Sequence, residues 1–446
     1  MTTDTLDPFA PLRQAVQGIT RMTPIGRITR LDATGFFVNG LSDHARLGDD
    51  VYYRGDDDIP QRAEVVRLDR DGLWATPFGP ATGLRIGLPV RAGGAPMLAP
   101  DTSWIGRVVD PFGRPLDDRP IGGGLARPLR RAPPPAGRRG GMGLRQTTGL
   151  AVLDTMLPVA AGQRIGLFAG SGVGKSTLLG MLARRMQADV CVLALVGERG
   201  REVSDFVNTV LGPEGMKRTV VMAATSDMPA PVRRRCAFSA MTVAEHFRDR
   251  GLSVLYLCDS VTRLAEAHRE VASAAGEAAE LRGHPPSLTP LLASLAERAG
   301  PGIDGQGMIS AVFSVLVAGS DMEEPVADIV RGQLDGHVVL SRDIAEAGRF
   351  PAVDVLRSVS RSLPDVATAE ENALITETRR LFGVYDRAEL MVSSGLYERG
   401  ANPEIDRAVA LVPRLNEVFT QTNLSTAQEA FQQIAAVLGR TYRPMA

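Results

Sequence analysis

The sequence predicts an α/β protein that combines a small N-terminal β-barrel, a central domain with a parallel sheet and a C-terminal helical domain. From Thr23 to about Val90, short alternating apolar runs are separated by Gly, Asp and Pro, as in small antiparallel barrels. After Leu150, apolar runs alternate with helical segments, which is typical of a parallel sheet covered by helices on both faces. Beyond about Leu363 the strand signals end and only helical spacing remains.

Composition and charge exclude several classes of protein. The chain has 446 residues, enough for about three domains with a large buried core. Hydrophobic residues make up 44%, and 50 basic against 51 acidic side chains leave a formal net charge of -1, which argues against disorder and against a generally basic nucleic-acid binder. No apolar stretch reaches about 18 residues, so we expect no membrane span. The cysteines lack the spacing of zinc or redox sites and are expected to be buried thiols: Cys191, Cys236 and Cys258.

The first 22 residues are interpreted as a separate arm. The segment MTTDTLDPFAPLRQ has neither a basic n-region nor an apolar h-region, so we expect no secretory signal and a cytoplasmic location. Phe9, Leu12, Val16 and Ile19 fall on one face of a predicted short helix. This face either docks on a partner helix or packs on the chain's own barrel, and the sequence leaves both open.

The barrel is predicted over residues 23–92 from the runs GRITRL, GFFVNG, DVYYRG and LWATPFG. Its paired aromatics are expected in the core or at the rim, because stacking on bases would require exposed basic residues between them. The nearby acidic side chains would repel a phosphate backbone, so RNA binding is the less favoured alternative. These acids are Asp49, Asp50, Asp56, Asp57 and Asp58.

A stretch rich in proline, glycine and arginine, ARPLRRAPPPAGRRGG, spans residues 126–141. It is unsuited to a helix or a central strand, so we expect an extended connector. Its five arginines either meet an anionic surface or lie solvated over the following domain, and we favour the second.

A candidate phosphate-binding loop, AGSGVGKS, lies between the apolar run RIGLF and a helical segment that begins at KSTLL. Ala169 replaces the usual first glycine, but the remaining glycines allow backbone N–H groups to turn towards an anion, and the helix N-terminus adds partial positive charge. Lys175 would reach the β- and γ-phosphate oxygens, and the Ser176 hydroxyl would bind Mg²⁺. The other nucleotide-binding positions predicted here are Gly170, Ser171, Gly172, Val173, Gly174 and Thr177.

Two further strands are expected to bring acidic side chains to the same sheet edge. LSVLYLCDS is a buried strand that ends in Asp259, beside the predicted metal. VCVLALVGERGRE is expected to end its strand at Gly197 and to present Glu198 and Arg199, where a carboxylate could align and deprotonate an attacking water. The alternative is a charged loop that solvates the sheet rim or pairs with Arg201.

Together these motifs resemble the catalytic ATPases of type III protein export, which are relatives of the rotary ATP synthase catalytic subunit. The resemblance rests on AGSGVGKS, VGERGREV, LYLCDSVTR, AAGE followed by RGHPPS, EPVADIVRGQLDGHVVLSR and AGRFPAVDVLRSVSR. It is dense over about Trp104 to Arg361 and weaker at both ends. It implies a RecA-like P-loop ATPase domain, which we place at residues 93–362, followed by a helical domain at 363–446.

The resemblance also implies roles for individual residues. Lys175 and Ser176 would bind phosphate and Mg²⁺, Glu198 would activate water, Arg199 would contact the γ-phosphate region and Asp259 would support the metal. ATP and Mg²⁺ are the implied substrate and cofactor.

The resemblance also implies roles in adenine binding and in subunit contact for two more positions. Phe350, in AGRFPAVD, matches the place where relatives set an aromatic ring against adenine. Arg361, in SVSR, matches the arginine finger that enters the neighbouring subunit's site. Because one chain carries both Glu198 and Arg361, the resemblance implies a homohexamer. The stretch GEAAELRGHPPS departs from the family pattern, which leaves a substrate-gripping role for His284 open against a plain surface position.

The implied function is ATP hydrolysis at the cytoplasmic base of an export apparatus, where it releases chaperones from exported proteins and helps to load or unfold them. The implied partners are identical subunits, a helical regulator or stator subunit at the N-terminal arm, chaperone–substrate complexes and a membrane export apparatus contacted peripherally, without nucleic acid. We favour flagellar export over an injectisome. A synthase catalytic subunit, a Rho-like RNA translocase and a nucleotide-binding interaction module are the remaining alternatives.

Overall fold

A computed structural model describes residues 23–55, 58–280, 283–317 and 322–443. The predicted helical face at Phe9, Leu12, Val16 and Ile19 lies outside these residues. The chain divides into one compact unit that ends at Pro96 and also includes 274–276, and a second unit that contains the rest. Within the described ranges, no helix has both the length and the apolar character needed to cross a bilayer.

The first unit is a closed antiparallel barrel, as the sequence predicts. Its six strands are β1 Ile25–Leu31, β2 Phe36–Asn39, β3 Asp50–Arg54, β4 Pro60–Asp69, β5 Gly72–Pro77 and β6 Pro89–Gly94. They close in the order β1-β2-β5-β4-β3-β6. The sequence runs did not include β4 or β6, because charged residues interrupt the alternation in β4 and β6 contains proline and two glycines.

Phe36 and Tyr53 lie in the barrel core, whereas Phe37 and Tyr52 lie outside that core under Arg30 and Arg62. Phe36 and Tyr53 meet edge to face with ring centroids 5.3 Å apart, and Phe37 is buried as well. This confirms the prediction of a structural role. Asp49 and Asp50, however, are also buried, so they contribute little to the surface charge that was expected to oppose RNA.

The second unit contains a nine-stranded sheet. Its strands are β8 Val108–Val109, β12 Arg164–Ala169, β13 Val190–Glu198, β14 Thr219–Thr225, β15 Ser253–Asp259, β16 Gly300–Pro301, β17 Met308–Leu316, β18 Gly336–Leu340 and β19 Val359–Ser360. The order is β19-β18-β12-β17-β15-β13-β14-β8, with β16 paired to β17, and all pairings are parallel except those of β19 and β16. The five long apolar runs are thus confirmed as a parallel sheet, whereas the short strands were missed.

Four two-residue strands complete the second unit in antiparallel pairs: β7 Met97–Leu98 with β9 Arg127–Pro128, and β10 Arg145–Gln146 with β11 Val159–Ala160. The helices around the sheet are α1 Ala151–Met156, α2 Lys175–Arg185, α3 Gly200–Asp205, α4 Gly212–Met216, α5 Ala230–Arg248, α6 Val261–Ala274, α7 Leu288–Arg298, α8 Pro325–Gln333 and α9 Arg342–Glu346. A π-helical segment, Phe206–Leu211, joins α3 to α4. The three cysteines, on β13, α5 and β15, are buried free thiols, as predicted.

The C-terminal part is helical, as predicted, with α10 Ala369–Ser393, α11 Pro403–Phe419 and α12 Ala427–Leu438. A capping box starts α10: the backbone N–H of Glu371 donates to Thr368 Oγ1 at 3.1 Å, and that of Thr368 donates to Glu371 Oε2 at 2.8 Å. Phe382 of α10 stacks on Phe419 of α11 with ring centroids 5.6 Å apart. The stacked rings join α10 to α11.

The connector at 126–141 packs on the second unit by means of its arginines. Arg127 and Arg131 both pair with Asp249, at 2.7 and 2.6 Å, and Arg139 pairs with Glu297 at 2.9 Å. Its position over the following domain is therefore confirmed, although these three side chains are held by carboxylates and are not freely solvated. The segment is extended except for one 3₁₀ turn at 136–138, where no helix was expected.

A buried ion pair lies beneath this connector. Arg298 at the end of α7 contacts Glu245 of α5 at 2.8 Å, and their side chains are only 2% and 1% exposed. Arg298 Nη1 also donates to the Leu129 carbonyl at 2.8 Å. The pair therefore joins two helices to the connector.

Candidate active site

The Gly-rich loop joins the end of β12 to the start of α2. Ala169 is the last residue of β12 and pairs with Leu316 on one side and Leu340 on the other. It has ordinary strand geometry there, so the alanine that replaces the usual first glycine is accommodated without strain. Val173 is buried and anchors the loop to the core.

Two glycines give the loop its shape. Gly172 and Gly174 have φ angles of +78° and +90°, in the left-handed region that side chains disfavour. Gly170 does not share this conformation. The Arg342 guanidinium donates to the Ser171 carbonyl at 3.4 Å and so contacts the loop from outside. The first N–H groups of α2 lack intrahelical partners and carry the helix's partial positive charge, which suits an anion.

Lys175 and Asp259 form the centre of the site. Lys175 Nζ donates to Asp259 Oδ1 in a short contact, and both side chains are largely buried. Ser314 Oγ donates to the same carboxylate oxygen at 2.7 Å. Sequence reasoning missed Ser314, which lies on β17 beside β15. The available signal was a hydroxyl within an otherwise apolar run, ISAVFSVLVA, since a buried hydroxyl needs a partner.

Glu198 ends β13, which is the direct neighbour of β15, the strand that ends in Asp259. Burial, followed by the negative charge of Asp259, raises the pKa of Glu198 to about 7, while the positive charge of Lys175 acts in the opposite direction. A hydrogen bond with Glu202 also favours the protonated form. A carboxyl group that titrates near neutrality is suited to general-base catalysis.

A cleft of about 190 Å³ opens at this sheet edge. Its polar lining consists of Ser176, Glu198, Glu202, Asp205 and Asp259. The Ser176 hydroxyl and the Asp259 carboxylate are oxygen donors of the kind that Mg²⁺ prefers. Among the described residues no group of three or more His, Cys, Asp or Glu side chains is placed to hold a metal ion.

Phe350 lies beside the phosphate-binding loop. A Cβ atom placed on Gly174 would come within 3.6 Å of the Phe350 ring, and half of the Phe350 side chain is exposed. The ring therefore presents a free apolar surface next to the loop. Its contact with adenine stays a prediction.

Arg199 is not brought into the cluster. Its side chain is 82% exposed and its nearest ionic partner is Glu202, at 3.7 Å. The predicted contact with the γ-phosphate region therefore stays a prediction. The same holds for a role of His284 in substrate gripping: the side chain is half-buried, and burial, together with the charge of Arg269, lowers its pKa.

Arg361 lies at the end of the sheet where β18 begins, opposite to the end that carries the phosphate-binding loop. It follows β19, its backbone N–H donates to the Asp335 carbonyl at 3.0 Å, and Ser360 pairs with Gly336 at the start of β18. The phosphate-binding loop instead follows the other end of the sheet, next to Leu340. The four residue-to-residue steps from Gly336 to Leu340 span about 13 Å. The exposed Arg361 side chain has no ion-pair partner among the described residues, and it does not join its own chain's Lys175.

Two family models match the chain. Residues 149–360 match the nucleotide-binding domain of the ATP synthase alpha/beta family, and residues 367–436 match the T3SS EscN ATPase C-terminal domain. The two matches cover the central and the C-terminal parts of the second unit.

Similar proteins match over most of the chain. The flagellum-specific ATP synthase of Caulobacter vibrioides is 40% identical over 439 residues, which is 96% of this chain and 99% of that protein. The SPI-2 type 3 secretion system ATPase of Salmonella typhimurium is 44% identical over 361 residues, covering 81% of this chain and 83% of that protein.

A solved structure shows the same fold. The assembled ATPase EscN from the type III secretion system of enteropathogenic E. coli superposes with a TM-score of 0.86 at 36% identity, covering 93% of this chain and all of that one. EscN in complex with its central stalk EscO gives a TM-score of 0.83 over the same shares.

Proposed function

The chain belongs to the type III export ATPases of the ATP synthase alpha/beta family, and from this membership we propose that it hydrolyses Mg-ATP as a homohexameric ring that serves flagellar protein export. The observation that carries the proposal is the cleft next to the Gly-rich loop, which is lined by Glu198 and Asp259 and where Lys175 contacts Asp259. No other arrangement within the described ranges combines a phosphate cradle, an oxygen-donor pair and a carboxyl group with a near-neutral pKa.

Each group in the cleft has a separate task. The loop N–H groups and Lys175 bind the β- and γ-phosphates, for which Lys175 must leave its pair with Asp259. Ser176 and Asp259 would then hold Mg²⁺, which neutralises charge on the phosphate oxygens when bound. Glu198 orients the attacking water and accepts its proton.

The position of Arg361 supports a site shared between subunits. Its exposed guanidinium lies at the far edge of the sheet from its own loop, so it serves the cleft of a neighbouring chain. A finger supplied in this way raises the rate by roughly 10³ to 10⁵. A ring of identical chains gives each cleft one Glu198 and one Arg361, and a homohexamer satisfies this at every interface.

The flagellar role is favoured over an injectisome role because the flagellum-specific relative aligns in sequence over 96% of this chain, whereas the SPI-2 ATPase aligns over 81%. The injectisome ATPase of Salmonella is the second candidate, since it is more identical over a shorter stretch. Deletion of the chromosomal gene distinguishes the two roles. Loss of motility supports the flagellar role, and loss of effector secretion with motility intact supports the injectisome role.

We further propose three kinds of partner. The EscN complex with its stalk supports a helical stalk or stator partner here, and the N-terminal arm at residues 1–22 is our candidate contact. The end of α10 exposes Leu390, Met391 and, just beyond the helix, Leu396, which suits contacts with chaperone–substrate complexes. Peripheral attachment to a membrane export apparatus follows from the export role.

The decisive experiment measures phosphate release per milligram over a wide range of protein concentration, for wild type and Arg361→Ala. Specific activity that rises with concentration in the wild type and is lost in the variant supports shared sites between identical chains. Low activity that is independent of both concentration and Arg361 would favour a chain that needs a different partner subunit. An ATPase rate stimulated by single-stranded RNA would favour the Rho-like alternative.

A further inference from the structure

A second polar cavity, broadly open to solvent, lies away from the ATP cleft, where the C-terminal end of α2 meets the loop between α11 and α12. Its volume is about 580 Å³, within the range of small-molecule sites. The side chains that line it are neutral hydroxyl and amide groups and one leucine around a single charge: Thr147, Arg185, Gln187, Asn423, Leu424 and Ser425. The ATP cleft, by contrast, is lined by carboxylates.

Arg185 provides that single charge and has no partner for it. Its Nη1 atom is buried and makes no hydrogen bond, and no ion pair involves Arg185 among the described residues. Burial lowers the pKa of Arg185, and the neighbouring Arg184 guanidinium lowers it further. Arg184 differs in that its Nη1 donates to the Val210 carbonyl at 2.6 Å. Arg185 lines the cavity with the accessible part of its side chain and makes no ion pair among the described residues, which favours the binding of an anion there.

The walls of the cavity are held in place by hydrogen bonds. The buried Asp154 carboxylate accepts from the backbone N–H groups of Thr148 and Gly149 at 2.7 and 3.0 Å. The Asn423 N–H donates to the Gly149 carbonyl at 2.9 Å, which joins the two loops that form the rim. Gly149 has φ +76°, and a Cβ atom there would lie 3.5 Å from the aliphatic part of Arg185. The cavity is thus largely formed before any ligand binds.

We propose that this cavity binds a small phosphate ester, with the Arg185 guanidinium paired to the phosphate group. Thr147, Gln187, Asn423 and Ser425 offer donors and acceptors for the hydroxyl groups of the same ligand. The site is separate from the ATP cleft, because Lys175 begins α2 and Arg185 ends it, and eleven helical residues span about 16 Å. An anion bound here therefore contacts the far end of the helix that carries the phosphate-binding lysine.

The test uses ³¹P NMR line broadening of inorganic phosphate, with the catalytic sites saturated by Mg²⁺ and a non-hydrolysable ATP analogue. We expect saturable broadening with wild type and binding weaker by about tenfold or more with Arg185→Gln, because a charge-assisted pair is lost. Arg184→Gln is the matched control, since it removes the same charge one residue away and should retain binding. Addition of ribose 5-phosphate should displace inorganic phosphate at lower concentration, because it adds hydroxyl contacts.

Three results would overturn the site. The first is broadening that does not saturate in the wild type, and the second is equal loss in both arginine variants, which would indicate general attraction to positive charge. Ser425→Asp is a second test in case Arg185→Gln does not fold. It keeps Arg185 but places a carboxylate in the cavity, which should weaken phosphate binding. Unweakened phosphate binding by that variant, with wild-type thermal unfolding, is the third contradicting result.

Discussion

Ser314 donates a hydrogen bond from its hydroxyl to the same Asp259 oxygen that Lys175 contacts, at an Oγ to Oδ1 distance of 2.7 Å. The serine lies on β17 and the aspartate ends β15, so the neighbouring strands fix the orientation of the carboxylate before nucleotide binds. When Lys175 moves to the phosphates, Ser314 is the partner that remains. It therefore acts on the metal site through Asp259.

Ser314→Ala should weaken Mg²⁺ binding by about tenfold, because loss of the hydrogen bond lets the Asp259 carboxylate turn. The measurement is ATPase rate against free Mg²⁺, in which the half-saturating concentration rises while the maximal rate changes little. Ser310→Ala is the control: Ser310 is also buried on β17, but it donates to Gln146 Oε1 at 2.6 Å, away from Asp259. Equal shifts in both variants would contradict the role of Ser314.

Glu198→Gln should lower phosphate release by about 10² to 10⁴, because an amide cannot accept the proton of the attacking water. Binding of a fluorescent ATP analogue should persist, since the loop and Lys175 are untouched. Glu214→Gln, an exposed residue paired with Lys217, serves as the control and should leave the rate unchanged. A variant that retains most of its activity would exclude Glu198 as the base.

The pH dependence of kcat/KM should report Glu198, whose pKa burial raises to about 7. The base acts when deprotonated, so the rate should increase as pH rises through about 7 and level off above it. The free energy of unfolding changes with pH in the opposite direction to the rate. A carboxyl group whose pKa is raised on folding stabilises the native state fully below its unfolded pKa and loses this contribution as pH rises through about 7. A flat kcat/KM profile across this range would contradict the assignment.

Arg361→Ala should lower the ATPase rate of the assembled ring by about 10³ or more while leaving assembly intact. The exposed side chain makes no ion pair among the described residues, so its removal should not destabilise the fold. Arg357→Ala, also exposed and nearby in the chain, is the matched control. Sedimentation together with phosphate release separates the cases: a variant that fails to assemble, or an assembled one with normal activity, would contradict the finger role.

Arg298→Met should destabilise the protein by about 3 to 5 kcal/mol, because it leaves the buried Glu245 carboxylate without its partner. Denaturant unfolding measures this directly. The double variant Glu245→Met with Arg298→Met should recover much of the loss, since no uncompensated charge remains. A single variant as stable as the wild type would show that the ion pair contributes little.

The sequence predicted those parts of the site that lie in contiguous motifs. Lys175, Ser176 and Asp259 could be placed because each follows a long apolar strand at a fixed offset. The role of Ser314 could not be predicted, because its contact with Asp259 depends on β15 and β17 becoming neighbours. No local sequence pattern determines the order of strands in a sheet. The same reason concealed Arg185: it ends a helix in an unremarkable sequence, and only the fold brings Asn423 and Ser425 to it. Short strands such as Gly336–Leu340 were missed because so few residues give no clear periodicity.

The separation of Glu198 and Arg361 to opposite sheet edges has a genetic consequence. In a shared ring, a chain with Glu198→Gln still donates an intact arginine, and a chain with Arg361→Ala still offers an intact glutamate. Two null alleles can therefore complement each other when they are expressed in one cell, with about a quarter of the interfaces restored in an equal random mixture. Two alleles that damage the same edge cannot, so pairwise complementation sorts mutations by the side of the interface on which they act.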